Sequence, residues 1–426
     1  MPPTDTGRRM HELASRLFPI CRSLTGDGVR ETLRIVQESI PLEIHEVPSG
    51  AQAFDWTVPR EWNIRDAYIK DHSGRRVVDF RQNNLHVMGY SVPVRMTLGR
   101  SELQSHLHSL PEQPELIPYR TTYYDENWGF CLAHRDRDSL TDDNYEVCID
   151  STLSNGSLTY GEYVLPGATD EEVLISTHVC HPSLANDNLS GIVVCVSLAQ
   201  LLQRMQRRYT YRFVFAPGTI GALVWLSRNQ DRLSKICHGL VAVLLGDSGP
   251  LRYKQSRRGD AEIDRAARYV VKGFPGSHCD LFSPDGYDER QYCSPGINLP
   301  VGRLSRSAPG TYAAYHTSAD NLDAIRPESL AGSLDAFAAI VQILERNGRY
   351  INRVACGEPQ LGRRGLYRKT GGERLPDREM AMLWTLNLSD GGHSLLDIAE
   401  RASLTFDTIR AVADELVDAG LLIAAS

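Results

Sequence analysis

The stretch "EEVLISTHVCHPSLANDNLSGIVVCVSLAQLL", from Glu171 to Leu202, decides the fold. It opens on a short apolar run, crosses a loop holding His178, Cys180, His181 and Asp187, and continues as an apolar segment of helical length. A continuous apolar run bounded by polar residues is expected of a strand buried on both faces. Such strands alternating with helices form a sheet sandwiched between helices. The same alternation recurs in "YRFVFAP" (211–217), "GALVWLSRN" (221–229) and "GLVAVLLGD" (239–247). The segment "ESLAGSLDAFAAIVQILERNG", stopped by Gly348, reads as a helix closing that core. The expected fold class is α/β, with a mixed sheet covered by helices.

Working outward, residues 8–40 carry apolar positions three and four apart and read as helical. From Pro48 to Tyr124 the texture becomes β-branched and aromatic, broken by Pro and Gly, which predicts a small β-rich insertion. The expected domains are a core of residues 1–47 and 125–355, an inserted domain of 48–124, a linker of 356–376 and a winged-helix-like tail of 377–426. The tail shows two amphipathic helices joined near Ala402 and Ser403, then an apolar run suited to a wing. From Asp377 onward it holds nine Asp or Glu against three Arg, a net of −6. That balance opposes phosphate binding and predicts a protein-contact module, with homo-oligomerisation through this domain.

The whole chain of 426 residues is 42% apolar and 23% charged, with a net charge of −7, which disfavours a general nucleic-acid binder. Its nine cysteines lack CxxC pairs, so neither a disulfide framework nor a zinc ribbon is indicated. No signal-peptide pattern and no long uninterrupted apolar run are present, so a cytoplasmic protein with a small-molecule substrate and no membrane partner is expected. P-loop, dinucleotide and HExxH motifs are absent. The "GDSGP" at 246–250 ends an apolar strand in an α/β stretch, a setting foreign to double-barrel serine proteases.

Ligands gather outside the carboxyl ends of strands in open α/β sheets. His178 follows one candidate strand at once, its loop reaches Asp187, and Asp247 follows another; His316 lies in the polar loop "TYAAYHTSADNLDAI". Imidazole nitrogen and carboxylate oxygen suit zinc, and a carboxylate such as Asp187 can bridge two ions. Gly191 would let the next helix start close to the sheet, while Asn188 and Ser190 can satisfy free backbone groups. The expected ligands are His178, Asp187, Asp247 and His316, holding one or two zinc ions.

The order H…DN-x-SG…D…YHT-x-x-D resembles the zinc exopeptidases of the aminopeptidase clan. The stretches "DWTVPREWNIRDAYI", "NLHVMGYS", "IPYRTTYY", "WGFCL", "PGTIGA" and "YHTSADNLD" resemble more closely a bacterial family that couples such a core to an inserted domain and a C-terminal winged helix. The resemblance implies a phosphorylase/hydrolase-like core and places the four ligands at positions of the clan's metal site. It also shows two departures. The clan's Glu-Glu pair is here Gly218-Thr219, and the acidic residue two places after the first His is Cys180. In "GYDERQYCSPG", Glu289 is the candidate replacement base, with Asp288 beside it. His181 is open to three readings: extra ligand, substrate contact, or partner of a backbone carbonyl. Cys180, Asn188 and Asp320 are expected behind the ligands or against substrate. A thiol nucleophile at Cys180 is disfavoured, because adjacent residues point apart. The resulting expectation is a metal-dependent hydrolase of an amide bond in a small amino-acylated or sugar-linked substrate. The alternative is a catalytically degenerate scaffold that binds a ligand or partner.

Overall fold

The computed structural model describes residues 3–366 and 377–425, with the side chains of residues 3 and 4 left out. Residues 367–376, the second half of the expected linker, lie outside the described residues. The chain divides into two compact units, Met1–Ala338 and Ala339–Ser426.

The first unit opens on helices α1 (Pro3–Leu17) and α2 (Asp27–Gln37) and strand β1 (Glu43–Pro48). An insertion follows with strands β2 (Glu61–Lys70), β3 (Arg76–Asp79), β4 (Val94–Gly99) and β5 (Asn144–Ser154). The chain then returns through β6 (Ser157–Leu165), β7 (Glu172–His178), α3 (Ser190–Leu202), β8 (Thr210–Ala216), α4 (Ile220–Arg228) and β9 (Ile236–Ala242). Strand β10 (Arg252–Lys254), helix α5 (Glu262–Lys272), β11 (His278–Asp280), β12 (Val301–Ser305) and α6 (Pro327–Arg346) complete it, the unit boundary falling inside α6.

Eight strands form the main sheet in the order β1-β6-β8-β7-β9-β12-β10-β11. The central strands β8, β7, β9 and β12 run parallel, β1 and β6 pair antiparallel to their neighbours, and β10 runs antiparallel to β12 but parallel to β11, so the sheet is mixed. All seven residues of β7 are buried, as the unbroken apolar run requires of a strand covered on both faces. Helix α3 is apolar nearly all round, with ten of its thirteen residues buried. Among the described residues, Ala185–Leu202 alone has the length and composition to cross a bilayer, yet 83% of it is buried inside this fold.

The inserted sheet, in the order β3-β2-β5-β4, moves an expected boundary. Strand β5 pairs with β2 and β4, so the insertion extends to Ser154 rather than ending at 124. Exposed and buried residues mix along β5, the mark of a sheet with one wet face, in contrast to β7.

The second unit is a winged helix: helices α7 (Asp377–Leu388), α8 (Leu395–Ala402) and α9 (Phe406–Asp418) with a three-stranded sheet. That sheet joins β14 (Asp390–Ser394) and β15 (Leu422–Ala424) to β13 (Arg349–Asn352) at its centre. Residues 349–352, expected in the core, thus belong to the tail. Helix α8 starts on a Ser394–Asp397 capping box, and Leu396, Ile398, Ala399, Ile409, Val412 and Leu416 fill the small core.

Candidate metal centre

Three parallel strands, β7, β8 and β9, end side by side, and the candidate centre is built where they stop. His178 is the last residue of β7, paired with Ala216 at the end of β8. The loop after β7 turns back over the sheet and enters α3 through Asp187 and Asn188. A Cβ at Gly191 would lie 2.4 Å from the Ala242 carbonyl oxygen, so only glycine lets α3 begin this close to β9. The Asn188 amide fastens the turn, donating to Thr177 Oγ1 at 2.8 Å and accepting from Leu244 N at 3.2 Å. Ser190 Oγ donates to Asn186 O at 2.6 Å and accepts from Leu245 N at 2.9 Å.

His178 Nε2 lies 2.9 Å from Asp187 Oδ1 and 3.2 Å from His181 Nδ1, and His181 Nδ1 lies 3.4 Å from the same Asp187 oxygen. His316 Nε2 lies 3.1 Å from the other oxygen, Oδ2. Zinc–ligand bonds of about 2.0–2.1 Å imply tetrahedral edges of about 3.3–3.4 Å. Of the three separations among these donor atoms, 3.2 and 3.4 Å match such an edge and 2.9 Å is shorter, so a small shift of the His178 ring fits the donor set to zinc. Two imidazole nitrogens and a carboxylate oxygen are also the donor types zinc prefers. Burial opposes ionisation of Asp187, but His181, His178 and His316 outweigh it and hold the carboxyl well below its ordinary range.

The surrounding residues hold this group in place. Asp320 accepts from Asn186 N at 2.6 Å and Asp187 N at 3.0 Å, and burial pushes its carboxyl up to about 7. Arg22, itself buried, donates to the His181 carbonyl at 2.9 Å. Tyr287 stacks on His178 with ring centres 4.8 Å apart, and Tyr315 stacks on His316 at 3.9 Å. Tyr119, carried by the insertion, meets His181 and His316 edge to face, both at 5.1 Å.

Two side chains stand elsewhere than expected. Asp247 stands outside the cluster: its Oδ2 takes the Asn186 amide at 2.7 Å and its Oδ1 takes Gly249 N at 2.6 Å. Asn186 intervenes because its Oδ1 also binds Gly246 N, which fixes the turn before Asp247. His181, rather than Asp247, brings a ligand atom within 4.8 Å of those of His178 and Asp187. Glu289 is the second such side chain. It is fully buried, its Oε1 lying 3.1 Å from Lys254 Nζ and 3.0 Å from Arg303 Nη1, so it neutralises two interior cations. Asp288 instead faces the departed Glu-Glu position, accepting from Thr219 N at 2.7 Å, with burial raising its carboxyl and the nearby His178 opposing that rise. Cys180 accepts from Gly218 N at 3.1 Å, and burial pushes its thiol up to about 12, so it is no thiolate at neutral pH. The sequence reading missed the tyrosines, whose signal was only the density of Tyr in "IPYRTTYY" and "TYAAYHT".

Residues 11–347 match a family model described as "Domain of unknown function (DUF4910)". The chain belongs to this family. Residues 349–424 match a winged helix-turn-helix model, in agreement with the placement of β13. A Clostridium acetobutylicum relative, named "Putative polysaccharide biosynthesis protein with aminopeptidase-like domain", is 50% identical over 98% of this chain and 97% of its own length. A crystal structure of a "putative peptidase" from the same organism superposes with a TM-score of 0.94 at 49% identity, covering 99% of this chain and 97% of that one. BSAP, a zinc aminopeptidase from Bacillus subtilis, gives a TM-score of 0.58 at 12% identity over 79% of this chain and 95% of its own. The core of this family member therefore has the fold of zinc aminopeptidases.

Across the matched tail, 349–424, the chain carries ten Lys or Arg against eleven Asp or Glu, a net of −1. The net of −6 belongs to residues 377–426 alone; Arg349, Arg353 and the basic residues of the linker nearly cancel it.

Proposed function

We propose that this protein is a zinc-dependent hydrolase of an amide bond in a small amino-acylated or sugar-linked substrate. The observation that carries the proposal is the triangle of His178, His181 and Asp187 donors at the carboxyl end of β7, with His316 on the second oxygen of Asp187. Zinc bound there would polarise an amide carbonyl and bring the pKa of water down towards about 7.

The chain's own residues supply the remaining functions. Asp187 provides the negative charge and two oxygens between imidazoles, and Asp320 fixes its backbone. Asp288 is the carboxylate suited to accept the proton of the attacking water. Burial raises its carboxyl above the ordinary range and the nearby His178 opposes that rise, whereas Glu289 is paired with Lys254 and Arg303. The aminopeptidase-like domain named for the Clostridium acetobutylicum relative supports hydrolysis, and the polysaccharide biosynthesis in that name supports a sugar-linked substrate.

A second reading, a non-catalytic scaffold, draws on Gly218 and Thr219, which offer no carboxylate after β8. A panel of amino-acyl amides and N-acyl sugars, assayed with added zinc, separates the two. Turnover that vanishes in Asp187→Asn establishes the hydrolase. Saturable binding of panel members without turnover by any of them establishes the scaffold.

A further inference from the structure

Segment 285–290 flanks the centre through Tyr287, which stacks on His178, and its charges are unevenly satisfied. Glu289 is taken up by Lys254 and Arg303, and Asp288 accepts from Thr219 N. Arg290, the next residue, is half-buried, and among the described residues no carboxylate pairs with it. Its Nη2 reaches Thr219 Oγ1 at a long 3.4 Å, and its Nε is buried without a hydrogen-bond partner. Every nitrogen of a guanidinium is a donor, and a buried donor left unmatched is costly. Arg290 therefore holds donors ready for an acceptor from outside the chain.

The chain path brings this guanidinium close to the centre. Strands β7 and β8 end side by side at His178 and Ala216. Two residues on, a Cβ at Gly218 would lie 3.6 Å from that of His178. Thr219, which Arg290 touches, comes next and opens α4 at φ 63°, a left-handed conformation rare for a β-branched residue. Its N–H is held by Asp288 and its hydroxyl meets Arg290. Burial raises the Asp288 carboxyl, and His178 and Arg290 both oppose that rise, so one carboxyl lies within the fields of both. Gly218 and Thr219 are only half-buried and uncharged, which leaves this edge open to a ligand and without a charge of its own.

We infer that Arg290 is a specificity-determining residue that binds an oxyanion of the substrate, a carboxylate or a phosphate, near the scissile amide. This rests on the amide-hydrolase reading for the position of the amide, whereas the unpaired guanidinium stands independently of turnover. The planar fork of Arg matches both oxyanions, accepting two of their oxygens at once. The same charge repels an ammonium, so a substrate with a free amino group beside its amide is disfavoured.

The test measures binding of four amides to the zinc-loaded full chain by titration: N-acetylglycine, N-acetylglucosamine 6-phosphate, N-acetylglucosamine and glycinamide. They carry a carboxylate, a phosphate, no charge and an ammonium respectively. Arg290→Gln removes the charge, and Arg290→Lys keeps it without the fork. Arg290→Gln is expected to weaken at least one of the two anionic amides by about tenfold to a hundredfold, the effect of a charge-assisted hydrogen bond. Arg290→Lys should restore part of that loss, with the other two ligands, zinc content and urea midpoint unchanged. The anionic amide that responds tells carboxylate from phosphate. Anion binding that is absent, or equal in the wild type and Arg290→Gln, overturns the inference, as does an equal loss of all four ligands or a loss that accompanies zinc loss. Arg290-dependent anion binding without turnover of any of these amides by the wild-type protein would count against the hydrolase reading and leave this one standing.

Discussion

Glu289→Gln separates the two carboxylates that the sequence offered as base. Glu289 is 0% exposed, and its partners Lys254 and Arg303 are 3% and 5% exposed in their side chains. The amide of Gln keeps the shape but removes the buried negative charge that, among the described residues, is paired with both cations; Asp285, 3.9 Å from Lys254, is 88% exposed and well screened. Removing one partner of a buried pair costs about 3–5 kcal/mol, because the remaining charge stays in the interior. Two cations are left here, so the expected loss lies in that range. Urea unfolding followed by tryptophan fluorescence measures it, with the amide assay run at a temperature where the variant is folded. Asp288→Asn, by contrast, should lower turnover by about a hundredfold or more while retaining zinc. A Glu289→Gln protein with wild-type stability and no turnover would make Glu289 the base and refute this assignment.

Gly191→Ala sets a Cβ 2.4 Å from Ala242 O, so it should destabilise the fold by about 1–3 kcal/mol and lower zinc content by displacing the start of α3; both are read from one purified sample by urea melt and metal analysis. Burial lowers the pKa of His238 to about 4. The unfolded chain takes up that proton near pH 6.5 and the folded chain does not, so the stability it contributes is full above pH 6.5 and is lost as pH falls towards about 4. The loss amounts to about 3 kcal/mol, and His238→Gln should flatten that part of the stability–pH curve. Removing residues 349–426 should change the mass found by light scattering while the zinc stays bound, and a low-salt duplex titration of the full chain should show no tight complex. An unchanged mass together with tight duplex binding would make the tail a nucleic-acid reader.

Much of the core was legible because its strands are buried on both faces and carry no polar interruption, as in "EEVLIST". The residues that build the α3 entrance were legible because a loop entering a helix beside the sheet needs a residue without a Cβ, Gly191, and a side chain that satisfies free backbone groups, Asn188. Boundaries were harder. Strand β5 lies far from β2 in sequence, and pairing across that distance leaves no local mark. Strand β13 is four residues long, too short for any periodicity. At the site, the loop after a buried strand brought out His178 and Asp187, but that His181 rather than Asp247 lies against them depends on the Asn186 side chain, which holds the Asp247 carboxylate. Glu289 shares its chemical type with Asp288, and only the burial of Lys254 and Arg303 reveals its different task.

Metal content tests the central claim most directly. Wild-type protein and the His178→Ala, His181→Ala and Asp247→Ala variants, equilibrated with equal zinc and then desalted, are measured by mass spectrometry of the metal alongside protein concentration. Zinc is expected to be retained by the wild type, lost from His178→Ala and His181→Ala, and retained at one ion per chain or more in Asp247→Ala. Equal zinc in all four proteins, or loss in Asp247→Ala with retention in His181→Ala, would contradict it.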